Sequence, residues 1–350
     1  MSKPVIILDP SWRQLSELFS DPDLRRLHDT YDIVWGKDEP MPPELFAAAL
    51  PTANFIISAV PRLDTLALER AGRLRAIFEV AGAFPDSIDY HTCFGRGIDV
   101  LCCAPGFRAS VAEMGLTMAL SGARGLVSEH EAFRAGGEHW LSDNTATDFT
   151  LYGAKIGFLG FGSIAREIAR LCLPFQPEFL AYDPWVNHEV ALESGVRLVS
   201  FDQLIRSGRL LFVTAAPTVE NRGILGRDAI AALPDGTLVV LISRAHLVDF
   251  DALCLAASSG RIRAAIDVFP EEPLRHDHAV RQNPNVILSP HRAAAVQGGR
   301  QLIGRMIVED LGRIVAGGQP VDLQRATPDR VGLLAGVQSS KRIEEMAAKR

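Results

Sequence analysis

The run Lys155-Ile-Gly157-Phe-Leu-Gly160-Phe-Gly162-Ser-Ile-Ala165 constrains this chain most, because a short apolar segment breaks into a glycine cluster and a helical pattern follows. Gly160-Phe-Gly162-Ser-Ile-Ala165 fits G-x-G-x-x-A. The first glycine of that pattern allows a tight strand-to-helix turn, the second lets a pyrophosphate approach the backbone, and the third small residue lets helix pack on strand. A helix opening at Ser163 aims its free N–H groups and positive dipole end at an anion, with no lysine or arginine required. Twenty-one residues past Gly162, Phe179-Leu-Ala-Tyr182 reads as the next strand and ends in Asp183, whose carboxylate suits the diol of an adenosine ribose. Asp183-Pro184 is also a common turn signal. The spacing favours the ribose role. A negative charge there repels the 2′-phosphate of NADP, and Pro184, Trp185 and Val186 bring no cation to hold it, so the expected cofactor is NAD.

The chain's 350 residues are enough for two domains that each bury a core. A formal net charge of -6 gives no electrostatic footprint for nucleic acid. Residues 5–9 are too short an apolar run for a signal core and end in an acid, so they read as a first strand; no apolar stretch reaches membrane-spanning length. The cysteines (Cys93, Cys102, Cys103, Cys172, Cys254) are odd in number and form no C-x-x-C pair. That usage suits buried, reduced thiols in the cytoplasm and no metal site.

In the first hundred residues, β-like runs at 5–8, 33–35, 55–60, 74–80 and 98–102 alternate with helical patterns near 11–28, 43–50, 63–71 and 89–95. Such alternation implies parallel βαβ units. A long helix is expected over 110–127 with Ser110 as N-cap. A second alternation places strands at 156–159, 179–182, 198, 211–215, 237–242, 264–268 and 286–288, and the glycine turn follows its first strand. Residues 296–316 read as another long helix stopped by Gly317-Gly318. Two long helices bracketing the nucleotide domain suggest that it is inserted into the other one, with the site in the cleft between them. Residues 331–350 read as a charged, solvated tail.

Three charged residues fall at or just after strand ends, where open α/β sheets place ligands. Arg244 follows the run 237–243, Glu272 follows 264–268, and His291 follows 286–290. Taking a hydride from a secondary alcohol leaves a carbonyl only if the hydroxyl proton moves elsewhere, and imidazole holds a proton near neutral pH. His291 is therefore the acid/base candidate. Glu272 beside it fixes the ring and favours its protonated form, while the planar fork of Arg244 matches a substrate carboxylate.

These residues also resemble a known family, the D-isomer-specific 2-hydroxyacid dehydrogenases. The likeness rests on the glycine motif, Tyr182-Asp183-Pro184, Val213-Thr-Ala-Ala-Pro217-Thr218, Ser243-Arg244-Ala-His-Leu-Val-Asp249, Asp267-Val-Phe-Pro-Glu-Glu272-Pro273 and Ser289-Pro-His291. It implies catalytic roles for Arg244, Glu272 and His291, an Asp267 that holds the nicotinamide amide, and a cofactor lining at Ser163, Ile164, Pro217 and Ile242. It also implies a homodimer. Formate dehydrogenases of this superfamily carry glutamine where Glu272 stands, so the carboxylate argues for a hydroxy acid. The family's substrate loop, whose N–H groups hold the substrate carboxylate, corresponds to Gly82-Ala83-Phe84, with Phe84 replacing a second glycine. Cys103 and Leu241 stand where asparagines are common, Ala245-His246 replace a glycine pair, and Arg292 puts a second cation after His291.

The expected fold class is α/β with two doubly wound parallel-sheet domains, a Rossmann-type NAD domain (106–295) inserted into a flavodoxin-like substrate domain (1–105 and 296–330). The expected activity is hydride transfer between NAD(H) and a small D-2-hydroxy acid, with glyoxylate or hydroxypyruvate favoured by resemblance. The alternatives are an NAD-sensing, corepressor-like scaffold and a dehydrogenase for a larger sugar acid or phosphonate.

Overall fold

The computed structural model describes residues 3–142 and 147–334. The chain divides into two compact units, Met1–Phe107 with Ala294–Arg350, and Arg108–Ala293. In chain order the strands are β1 (Val5–Asp9), β2 (Asp32–Trp35), β3 (Phe55–Ser58), β4 (Ala76–Glu79), β5 (Asp99–Cys102), β6 (Lys155–Leu159), β7 (Glu178–Tyr182), β8 (Val196–Leu198), β9 (Leu210–Val213), β10 (Leu238–Leu241), β11 (Arg263–Ile266), β12 (Val286–Leu288) and β13 (Gln324–Arg325).

The first unit carries the sheet β13-β5-β4-β3-β1-β2, parallel throughout except for β13, which pairs antiparallel with β5 at the edge. Without that edge strand the order is the flavodoxin-like 2-1-3-4-5. The second unit carries β12-β11-β10-β9-β6-β7-β8, all parallel; counted from β6 this is the Rossmann order 3-2-1-4-5-6 with one strand added. Every residue of β3, β4, β9, β10 and β11 is buried, as expected of parallel strands covered on both faces. The α/β class and both doubly wound sheets thus follow the sequence expectation.

Five of the strands end earlier than their apolar patterns. The ladder stops before Val60, Val80, Ala215, Ile242 and Val268, which stay wholly or partly buried in the loops beyond the carboxyl edge. The N–H groups of Val80, Ala215 and Ile242 still bond carbonyls of the neighbouring strand, so the apolar run tracks the buried edge slightly past the regular ladder. Long helices are also interrupted. The one expected over 110–127 begins at Arg108, leaving Ser110 inside its first turn and not at the cap, and ends at Ala123; a second helix restarts at Leu126 beyond Gly125. The helical pattern at 11–28 divides into Leu15–Leu18 and Asp21–Thr30, because the Ser20 side chain caps a new first turn that contains Pro22. The helix expected from 296 starts at Gln301, after Gly298-Gly299. From residue 335 onward the expected tail lies outside the described residues.

Candidate active site

The glycine turn sits where the strand order reverses, between β6 and β9. Gly160 has φ +88, and a Cβ there would lie 2.3 Å from the Cα of Ala215, so this glycine serves close backbone approach inside the protein. Gly162 differs. A Cβ on it would meet nothing within 4 Å, so no neighbour in the fold demands a glycine there and the space above the turn is open. Gly162 is also the N-cap of the helix Ser163–Cys172 and offers no side chain to its first N–H groups. Open space and uncapped N–H groups together fit a phosphate. Ser163 and Ile164 are half-buried in that first turn, and Ala165 packs inward.

Asp183 closes this turn from the next strand. Its Oδ2 accepts from the Phe161 N–H at 2.8 Å, and its Oδ1 accepts from Trp185 at 2.9 Å and Val186 at 3.2 Å. The two readings of this residue are therefore compatible, since it builds a turn and holds the glycine loop while staying half-exposed at the strand's carboxyl end.

Arg244, Glu272 and His291 follow β10, β11 and β12, three neighbouring parallel strands, and so share one sheet edge. His291 Nδ1 lies 2.7 Å from Glu272 Oε2, while Glu272 Oε1 accepts from the Phe269 N–H at 2.9 Å. The carboxylate is thus oriented by backbone and in turn orients the ring. Nε2 is the ring nitrogen left for a substrate. His291 itself sits at φ +50, a conformation held by its loop. Arg244 is half-buried, and its Nη1 donates to the Ser243 carbonyl at 2.8 Å. The neighbouring Ser243 hydroxyl is buried without a hydrogen-bond partner, and Ile242 is buried beside it. An orphaned hydroxyl at this edge fits a polar ligand group.

Asp267 is 1 % exposed and accepts from the Ser289 hydroxyl at 2.5 Å, the Arg292 N–H at 3.0 Å and the Ala293 N–H at 3.3 Å. These contacts fasten the loop that carries His291. The resemblance implies a cofactor contact for Asp267, whereas its hold on this loop leaves no mark in the sequence, because two of its three partners are backbone N–H groups. Pro217 lies in a segment locked by its neighbours: Asn221 Oδ1 accepts from Thr218 N–H, Asn221 Nδ2 donates to the Ala216 carbonyl, and His246 Nε2 lies 2.7 Å from the Thr218 carbonyl. His246, noted in the sequence as a departure, thus ties the loop after β10 to the loop after β9. Arg292 is exposed and forms no ion pair among the described residues.

Gly82, Ala83 and Phe84 belong to the other unit. Phe84 is buried in that unit's core with its ring edge-on to Tyr90. The N–H groups of Gly82 and Ala83 donate to the carboxylate of Glu79, a residue that belongs to no motif. Its signal was a lone acid inside the apolar run 76–81.

The family model described as "D-isomer specific 2-hydroxyacid dehydrogenase, NAD binding domain" matches residues 116–293. A D-3-phosphoglycerate dehydrogenase of Archaeoglobus fulgidus is 30% identical over 263 residues, which cover 75% of this chain and 49% of that protein. A glyoxylate reductase of Aeropyrum pernix is 29% identical over 308 residues, 86% of this chain and 91% of that protein. The solved structure of a phosphoglycerate oxidoreductase from Rhizobium etli superposes with a TM-score of 0.83 at 35% identity, covering 93% of this chain and 99% of that one. The chain therefore spans about half the length of the phosphoglycerate dehydrogenase and nearly all of the glyoxylate reductase.

Proposed function

The chain belongs to the D-isomer-specific 2-hydroxyacid dehydrogenase family, and from that premise we propose that it is an oxidoreductase that moves a hydride between NAD(H) and a small D-2-hydroxy acid/2-keto acid pair. The observation that carries this reading is the 2.7 Å contact of His291 Nδ1 with Glu272, on a sheet edge that also bears Arg244. With Nδ1 engaged, Nε2 gives a proton to the carbonyl oxygen in reduction and takes it back in oxidation. Glu272 holds the ring in place and balances its positive form. Arg244 grips the substrate carboxylate with its two-pronged face, which aligns the carbonyl. The cofactor, when bound, supplies or accepts the hydride. Gly160, Gly162 and the first turn of the helix Ser163–Cys172, with Ser163 and Ile164, would hold its pyrophosphate, Asp183 the ribose, and Pro217, Ile242 and Asp267 the nicotinamide end. Asp183 makes the cofactor NAD in preference to NADP.

Glyoxylate or hydroxypyruvate is the favoured substrate class, supported by nearly full coverage of a glyoxylate reductase. Arg292, exposed and one residue from His291, supports a second reading in which the acid carries another anionic group. Residues 1–105 with 296–330 would then serve the substrate and 106–295 the cofactor. A homodimer in the cytoplasm completes the reading. It is supported by exposed apolar residues on the helix Leu126–Arg134 and by wholly or partly buried cysteines with no disulfide. Among the described residues no helix is long and apolar enough to cross a membrane.

The test is a series of 2-keto acids of rising size and charge, each with NADH and with NADPH. We expect NADH oxidation with the small acids, and its loss in His291→Ala with NADH binding retained. Normal turnover in His291→Ala would overturn the mechanism, and NADH-dependent capture of a protein partner without turnover would favour the sensing scaffold.

A further inference from the structure

Glu79 is the last residue of β4, at the carboxyl edge of the first unit's sheet, and its side chain is only 1 % exposed. Its carboxylate is the meeting point of three consecutive backbone donors. Oε1 accepts from the Ala81 N–H and, at 2.9 Å, from Gly82; Oε2 accepts from Gly82 at 3.0 Å and from Ala83 at 3.0 Å. Gly82 reaches this geometry at φ +107, which a side-chain-bearing residue rarely adopts. The carbonyls of the same segment are held from another direction. Arg13, itself 5 % exposed, donates from Nε to Val80 at 2.8 Å and from Nη2 to Ala81 at 3.4 Å. A buried acid thus takes the loop's N–H groups and a buried base takes its C=O groups.

Three converging N–H groups form a cradle for one carboxylate. We infer that Glu79 is a built-in carboxylate that fills the cradle of Ala81, Gly82 and Ala83, fixing this loop and closing those N–H groups to the carboxylate of a 2-keto acid substrate. The inference rests on the proposed 2-keto acid activity only for its second half. Glu79 is then a positioning residue: it touches no reacting atom, yet its carboxylate, and not a ligand's, takes the three N–H groups of this loop.

The test is chemical replacement. Truncation in Glu79→Ala empties the cradle, and formate is a carboxylate small enough to enter it. We expect the melting temperature of Glu79→Ala to fall by about 5 °C or more, to recover at least half of that loss in sodium formate, and to recover nothing in sodium chloride of equal ionic strength. The wild type should not respond to formate. In activity assays, KM for glyoxylate should rise in Glu79→Ala and return toward the wild-type value with formate, while kcat changes less. Should Glu79→Ala fail to fold, Glu79→Gln keeps the volume but turns an amide N–H toward the donors, and a raised KM with no formate response is expected. Equal responses to formate and chloride, or a Glu79→Gln protein with unaltered KM and melting temperature, would overturn the cradle. The melting arms need no turnover, so a wild type that reduces no keto acid would instead overturn the proposed activity.

Discussion

A carboxylate next to an imidazole does its work through one atom pair, and here that pair is Glu272 Oε2 and His291 Nδ1. Removing the ring should cost about 10²–10⁴ in kcat, the usual worth of a positioned acid/base. Glu272→Gln keeps the volume and an acceptor but not the charge, so we expect a smaller loss in kcat with NADH affinity unchanged; stopped-flow single turnovers and NADH fluorescence titration separate the two. Glu79 offers a different readout. Burial pushes its acid up to about 7, against the pull of the Cys102 thiol, the Gly82 and Ala81 N–H groups and the Arg13 guanidinium; Cys103 and Tyr90 are the other titratable groups acting on it or acted on by it. A folded value above the unfolded 4.5 means that the folded chain keeps a proton the unfolded chain releases. That contribution is whole below the unfolded value and disappears as pH rises through the folded one. The wild type should therefore lose about 1 kcal/mol relative to Glu79→Gln on going from roughly pH 6 to pH 8. Parallel melting curves of the two proteins across that interval would sink the assignment.

The two glycines of one turn are predicted to fail in opposite ways, and this is a property of the strand-turn-helix element more than of either residue. At Gly160 an added methyl would meet the Ala215 backbone, which belongs to the loop after β9, so Gly160→Ala should destabilise the second unit by several kcal/mol, or about as much as a severe core substitution. At Gly162 the same methyl meets open space, so Gly162→Ala should melt like the wild type yet bind NADH at least about tenfold more weakly. Differential scanning calorimetry and NADH titration give both numbers; matching losses of stability in the two variants would refute the distinction. Much of this element was legible beforehand, because G-x-G-x-x-A, a strand before it and an acid after the next strand each leave a local mark. Helix boundaries were not. Ser110 looks like a cap by residue type, but the chain is already turning at Ala104–Phe107, and tertiary packing starts the helix at Arg108. Likewise, the apolar runs carry on past the regular ladders of β4, β9, β10 and β11, where Val80, Ala215 and Ile242 still bond the neighbouring strand as the chain turns away, a boundary that hydropathy alone does not register.

At the scale of the whole chain, the alternation of strands and helices carried the two parallel, doubly wound sheets, since each parallel pair needs a crossover that a helix supplies. What the alternation left out was contact between distant segments: Asp267 with the loop of His291, His246 with Thr218, and Glu79 with its own loop are each set by where sheet edges bring chain together. Self-association belongs to the same scale. The helix Leu126–Arg134 has no buried residue, and Leu126 and Phe133, seven residues apart on one face, are 60% and 58% exposed. Phe133 also lies edge-on to Trp140, itself 73% exposed, so the apolar patch extends past the helix. Exposed apolar groups of this kind suit a protein interface, and the proposed dimer is tested there. Phe133→Asp placed in it should convert the proposed dimer to a monomer in light scattering. Since Phe133 is exposed in the single chain, the melting temperature at high dilution should hardly move. A wild type that scatters as a monomer at micromolar concentration would remove the dimer from the reading and leave the chemistry at Arg244, Glu272 and His291 untouched.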